Sequence, residues 1–184
     1  MNKLLRSENC LYPSLVVIVG ANVNGKPNFL TVAWIGILGH NTIGMGLNKS
    51  HYTNKGIKEN ETFSLNIPSE NMVKETDFVG LVSGKNLDKS NIFKVFNSKL
   101  LSVPMVEECP INMECKLVSI VDNGSHDIFI GNIVQTYCSP NVLIDNNVDL
   151  SKVHPLLFSM YEPGFWSLGN FVAKAWDVGK ELKK

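Results

Sequence analysis

The chain has 184 residues, 44% hydrophobic and 18% charged, which is apolar material enough for one well-packed domain. Lys+Arg and Asp+Glu number 17 each, a balance that argues against the overall basic surface of a general polyanion binder. Residues 1–10 lack the apolar centre of a signal peptide, and the uncharged stretch 27–48 is broken by Gly36 and Gly39-His40-Asn41, short of the roughly 20 apolar residues of a membrane span.

Residues 15–20 are a β-branched run bounded by turn residues and read as a buried strand. Asn24-Gly25 signals a tight hairpin, because both residues tolerate positive φ. The returning strand is predicted over 27–37 and a third over 42–48, where Gly44 and Gly46 would let another group approach the backbone. Thr53 is placed as the N-cap of a short helix ending at Asn60. Residues 62–67 alternate as a strand and stop at Pro68. Ser69 caps a predicted helix through Val82, with Gly84 where a C-terminal helix glycine belongs. Residues 85–99 read as an irregular excursion with a short helix, anchored by Phe93, Val95 and Phe96.

Residues 112–121 and 127–137 are long β-like runs flanking a second hairpin signal, Asp122-Asn123-Gly124. A last strand is expected over 156–161. Phe171, Ala175 and Val178 recur at helical spacing, which predicts an amphipathic helix over 170–182. At least six strands joined mainly by hairpins give a mainly β fold, an antiparallel barrel with peripheral helices, as one domain over 1–184. Strand–helix alternation, G-x-G-x-x-G and Walker A are all missing, which disfavours nucleotide binding of the parallel α/β type. Cys10, Cys109, Cys115 and Cys138 form no CxxC pair and read as free thiols of a reducing, cytoplasmic setting. The four dispersed histidines nominate no metal site.

Two segments carry candidate chemistry. Asn28 to Trp34 is an apolar strand with small polar residues, and Asn48-Lys49-Ser50-His51-Tyr52-Thr53 is a cationic, hydroxyl-rich entry to a helix. The second reads either as a phosphate grip at a helix start or as a solvated strand end with an ordinary cap. On a regular strand Thr31 and Trp34 face opposite sides, so ring contact would come more naturally from the Val32 and Ala33 backbone. Trp34 then reads equally as a core or interface aromatic. His126 is either a functional histidine at a strand start or a surface turn residue bonded to Asp127 or to backbone.

Five stretches, 25–34, 50–53, 63–68, 83–89 and 124–131, resemble in order and spacing the flavin reductase-like family, which includes flavoredoxins and flavin:NAD(P)H reductases. The resemblance implies a Greek-key, FMN-binding split barrel. It implies FMN as cofactor and flavin-mediated electron transfer, with NAD(P)H or a redox protein as donor and an unnamed acceptor. A non-catalytic FMN-binding or storage protein on the same barrel is the alternative. By the resemblance, Thr31, Val32, Ala33 and Trp34 line the flavin ring, partly through main chain, and Asn28 belongs to the cofactor-binding set. Ser50 and Thr53 bind the phosphate, with Lys49 or Lys89 as the cation, and Asn48 and His51 belong to the cofactor-binding set beside them. Asn66, Ile67 and Pro68 flank the ring or ribityl chain, Ser83, Gly84 and Lys85 close the site, and His126 stands on the substrate side. Relatives often carry arginine near His51, so the charge of the phosphate pocket is open at this point. A homodimer with FMN near the interface is also implied, with Phe165, Trp166 and Trp176 as interface aromatics.

Overall fold

The computed structural model describes residues 2–99 and 101–182. Among them, seven strands form one antiparallel sheet: β1 (Val17–Val23), β2 (Lys26–Val32), β3 (Ile35–Ile37), β4 (Thr42–Asn48), β5 (Thr62–Ile67), β6 (Ile111–Asn123) and β7 (His126–Cys138). Their spatial order is β2-β1-β5-β6-β7-β4-β3. Strands β5, β6 and β7 are sequential neighbours and β4 lies beside β7, a Greek-key arrangement.

The sheet's two edge strands, β2 and β3, are consecutive in the chain and separated only by Ala33 and Trp34. Three peptide steps span about 10 Å, so the sheet has to roll until its edges nearly meet. This corrects the single strand expected over 27–37. The chain breaks at Ala33-Trp34 and serves both edges, with the Trp34 carbonyl accepting from the Gly46 N–H at 2.9 Å. Two bulges in the β6–β7 ladder, Val118 on β6 opposite Ile130 and Gly131, and Val134 on β7 between Ile133 and Gln135, add the bend that curling needs.

Both predicted hairpins form. Asn24 and Gly25 have φ of 52° and 76°, the pair of positive values a two-residue type I′ turn requires. The β6–β7 turn is Gly124-Ser125, one residue later than Asp122-Asn123-Gly124, with Gly124 at φ 67°. Alternation along β1 sends Val17, Val19 and Ala21 into the barrel, where they pack with Leu30, Phe63 and Phe129. Ile18 points outward into a second core with Phe29, Met72, Val79 and Phe93. That outer core seats helix α2 (Val73–Leu81) on the barrel wall.

Several local expectations change. Helix α1 (Thr53–Asn60) has Tyr52 at its N-cap, and Thr53 lies inside the first turn, its hydroxyl accepting from Asn28 Nδ2 at 2.7 Å. Ser69 precedes a 3-10 turn, Glu70–Met72, and only then does α2 begin. After α2 the chain goes extended at Val82, and Gly84 serves close packing rather than a left-handed cap. Residues 85–99 contain no helix among the described residues; Val95–Asn97 pairs instead with Pro104–Val106. The amphipathic helix expected over 170–182 is absent apart from a 3-10 turn at Val178–Leu182. Its apolar stripe finds no surface on this chain, Trp176 sits at φ 56°, and a short helix without burial is marginal in water. All four cysteines are free; burial pushes the Cys115 thiol up to about 12 and Cys109 higher still. Among the described residues no helix is long and apolar enough to cross a membrane.

Candidate functional site

The roll of the sheet brings the start of β7 against the end of β4, so His126 pairs across the ladder with Asn48 although 78 positions separate them. A cleft of about 550 Å³ opens there. Its long wall is Thr31, Val32, Ala33 and Trp34; Asn48, Ser50, His51 and His126 line another side, and Asp77, Gly80 and Leu81 of α2 a third. Thr31 and Trp34 both reach the cleft because the strand bends at Ala33-Trp34 instead of continuing its alternation. The Thr31 hydroxyl is itself anchored, donating to the Thr76 carbonyl of α2.

One end of the cleft is aromatic. Trp34 and His126 lie with ring centroids 5.1 Å apart, and the Trp34 indole N–H donates to the Tyr12 hydroxyl at 3.1 Å. Phe158, Met160 and Phe165 complete this end from the hairpin Leu157–Ser159 and Gly164–Trp166. The sequence reading missed Tyr12, Asp77, Gly80, Phe158 and Met160 as neighbours of the site, and placed Phe165 at an interface. No local motif marks them; they arrive by packing of distant segments.

At the other end, a recess of about 200 Å³ shares Ser50, His51, Gly80 and Leu81 with the cleft and adds Thr53, Ser83, Gly84 and Lys89. Lys89 is 3% exposed and donates to the Phe29 and Val79 carbonyls at 2.9 and 2.8 Å. Among the described residues no carboxylate pairs with it, and burial lowers its ammonium to about 8. An ammonium has three N–H donors, so one stays uncommitted. Thr53 and Ser83 accept bonds through their hydroxyl oxygens, from Asn28 Nδ2 and the Lys85 N–H, and each keeps its O–H to donate. Ser50 Oγ donates to Asn48 Oδ1 at 2.7 Å, which fixes the loop. The recess adjoins the first turn of α1, whose leading amides favour an anion.

His51 sits between the two compartments. Burial first, then the nearby His126 and Lys89, hold its imidazole below its ordinary value, so it is neutral near pH 7. Its Nδ1 is buried without a hydrogen-bond partner. The charge of this end therefore belongs to Lys89.

Six expected residues lie elsewhere. Lys49 is committed to ion pairs with Asp122 and, at 3.7 Å, with Asp127, and lines neither compartment. Asn66 is fully buried in the wall of the barrel, donating to the Ile18 carbonyl at 2.8 Å and accepting from the Val106 N–H at 3.0 Å. Ile67 lines an apolar groove at a different place on the barrel, and Pro68 is buried beside it. On β5, Phe63 and Leu65 face the barrel interior, while Ser64 and Asn66 share the outward face with Ile18 and donate to the Pro104 and Ile18 carbonyls. Asn28 and Lys85 line a further recess behind Gly84 and Tyr52, not the cleft.

The flavin reductase-like domain model matches residues 9–162. The chain belongs to the flavin reductase-like family. The family member's barrel is similar to that of flavoredoxin from Methanosarcina acetivorans, at TM-score 0.94 and 38% identity, covering 99% of each chain. It is also similar to flavoredoxin of Desulfovibrio vulgaris (Miyazaki F), at TM-score 0.91 and 31% identity, over 97% of this chain and 100% of that one. An uncharacterized protein of Archaeoglobus fulgidus is 31% identical over 128 residues, 67% of this chain and 72% of its own length. This flavin reductase-like protein is thus a split barrel of a flavin-related redox family. The cleft fits a flavin on its own chemistry: an uncharged wall for a ring, an orphaned buried imidazole nitrogen, and an unpaired buried cation at the closed end.

Proposed function

We propose that this protein binds FMN and carries out flavin-mediated electron transfer. The observation that carries the reading is Lys89, a buried cation with no carboxylate partner among the described residues, facing a hydroxyl-lined recess that shares Ser50, His51, Gly80 and Leu81 with the cleft. A phosphomonoester supplies the missing negative charge, and charge-assisted bonds from Lys89, Thr53 and Ser83 would hold it. Thr31 to Trp34 would line the ring with backbone and side chain together. Bound FMN supplies a reversible redox centre; the protein contributes orientation, electrostatics and exclusion of water.

His126 stands at the open, aromatic end, where its Nδ1 is in hydrogen-bond contact with Ser125 Oγ at 2.9 Å and its ring lies against Trp34. We place it on the side from which a donor approaches, holding the Trp34 wall and offering a polar edge. The donor is reduced nicotinamide or a redox protein, in a reducing cytoplasm that suits four free thiols.

The test is anaerobic mixing of FMN-loaded protein with NADH and with NADPH while flavin absorbance is followed. Rapid bleaching identifies a reductase. Slow bleaching with nicotinamide and fast bleaching with a reduced ferredoxin-type protein identifies a carrier. A protein that takes up no FMN on titration rejects the proposal.

A further inference from the structure

Residues 9–16 precede the barrel and are laced to residues 156–161. Ser14 and Leu15 pair antiparallel with Phe158 and Leu157, and the Val16 N–H donates to the Leu156 carbonyl at 3.0 Å. That pairing carries Tyr12 past the end of the short ladder and onto the hairpin that closes the aromatic end of the cleft. The Tyr12 ring meets Phe158 and Tyr161 edge to face, with centroids 6.3 and 5.8 Å apart. The Tyr161 hydroxyl donates to the Asn9 carbonyl at 3.1 Å, which ties the segment down a second time. With its ring held on two sides, Tyr12 turns its hydroxyl to the indole N–H of Trp34, 22 positions away in the chain.

Trp34 needs such a partner. It stands at the break between β2 and β3 and is 46% exposed, so burial alone does not choose its rotamer. Its ring has His126 on one side, and its N–H, which can only donate, finds the Tyr12 oxygen as acceptor. Tyr12 itself lines neither the cleft nor the recess, so it reaches a ligand only through Trp34. We infer that Tyr12 is a positioning residue: its hydroxyl seats the Trp34 indole at the open end of the cleft, and the seated indole covers part of a bound flavin ring. The covering role rests on the FMN reading; the seat does not. A net hydrogen bond of this kind favours the seated indole over free rotamers by about three- to tenfold. Loss of the Tyr12 oxygen shifts that population toward the free indole and opens the mouth of the cleft, while the recess around Lys89 keeps its own bonds.

Four chains are compared: the unaltered protein, Tyr12→Phe, Trp34→Phe and the double variant. Tyr12→Phe keeps the ring that packs on Phe158 and Tyr161, so its melting temperature is expected to fall by no more than about 4 °C. The first readout needs no flavin. In isotope-labelled, flavin-free protein the Trp34 indole N–H is the resonance missing from Trp34→Phe, and its exchange with water is expected to quicken about three- to tenfold in Tyr12→Phe. The second readout is the fluorescence of bound FMN, which an indole lying against the ring quenches. At equal FMN occupancy it is expected to rise about twofold or more in Tyr12→Phe and in Trp34→Phe, and the double variant is expected to match Trp34→Phe, because the residue through which Tyr12 acts is gone. Unchanged indole exchange in Tyr12→Phe overturns the inference. Unchanged FMN fluorescence in Tyr12→Phe overturns the covering role, and so does a further rise when Tyr12→Phe is added to Trp34→Phe. Failure of all four chains to take up FMN rejects the cofactor reading and the cover with it, and the exchange comparison still decides the seat.

Discussion

The Lys89 ammonium donates to the Val79 carbonyl across 2.8 Å from a position 3% exposed, and that bond holds a positive charge under α2 at the closed end of the cleft. Burial lowers this ammonium from 10.5 to about 8, so above that pH the ligand-free protein presents a neutral amine. An anionic phosphate favours the charged form, and binding above pH 8 must therefore take up a proton. FMN affinity is expected to fall by up to about tenfold per pH unit above 8, while riboflavin affinity stays flat. Fluorescence titrations of both flavins between pH 6.5 and 9.5 check this. Lys89→Met should cost FMN about 10- to 100-fold in affinity and riboflavin little, the value of one charge-assisted bond. The sign for stability is opposite to that of a salt-bridged lysine. Between about pH 8 and 10.5 the unfolded chain carries a proton the folded one lacks, so this group's unfavourable contribution fades as pH rises through that window.

Gly84 is packed where a side chain does not fit. A Cβ there would meet Asn28 Oδ1 and lie 2.6 Å from Tyr52 Cδ1. Gly84→Ala should push Tyr52 or residues 83–89 away from the recess, at a cost of about 1–3 kcal/mol in stability. Because Thr53 depends on Asn28 for its orientation, FMN affinity should drop together with the melting temperature. Calorimetry of the free and FMN-loaded variant reads both.

His126→Ala removes the partner of the Trp34 ring and leaves Lys89, Thr53 and Ser83 untouched. FMN affinity should change less than about threefold, while reduction by the competent donor slows by about tenfold or more, within the range of a positioned polar group. Stopped-flow reduction of the FMN-loaded variant measures it, and unchanged kinetics would remove His126 from the functional set.

Asn66 joins three elements through buried bonds: to Ile18 of β1, to the Val106 amide, and to Asn112 Nδ2 of β6 at 2.9 Å. Asn66→Ala leaves the Ile18 carbonyl and the Val106 N–H without their side-chain partner away from solvent, and Asn112 Nδ2 with the Val106 carbonyl alone. A loss of about 2–4 kcal/mol in unfolding free energy is expected, with FMN affinity per folded molecule unchanged. Denaturant melts alongside flavin titration separate the two; a selective loss of flavin would return Asn66 to the site.

Much of the barrel was legible locally. The Asn24-Gly25 hairpin follows from backbone freedom at two residues, and β1, β4 and β5 follow from short apolar or alternating runs bounded by turn residues. Lys49 shows where such reading stops. Its place beside Ser50 made it a natural phosphate cation, yet Asp122 and Asp127, brought in by β7, claim it. Asn66 misled in the same way, since a polar residue on a strand says nothing about whether it faces a ligand or a backbone carbonyl.

What the sequence determined by itself was most strands of the sheet, its two hairpin signals, the family they belong to, and the segment from Ser50 to Thr53 as a candidate side of a pocket. Those depend on contacts between residues close in the chain or on order along it. The tertiary structure decided which cation remains free, that Thr31 and Trp34 share one wall, and that His126 meets Asn48. Each of these depends on the roll of the sheet, which joins edges through Ala33-Trp34 and sets residues dozens of positions apart within bonding distance. It also decided that the stripe of Phe171, Ala175 and Val178 has nothing to pack on within its own chain, because helical spacing encodes an apolar face and not the surface that covers it.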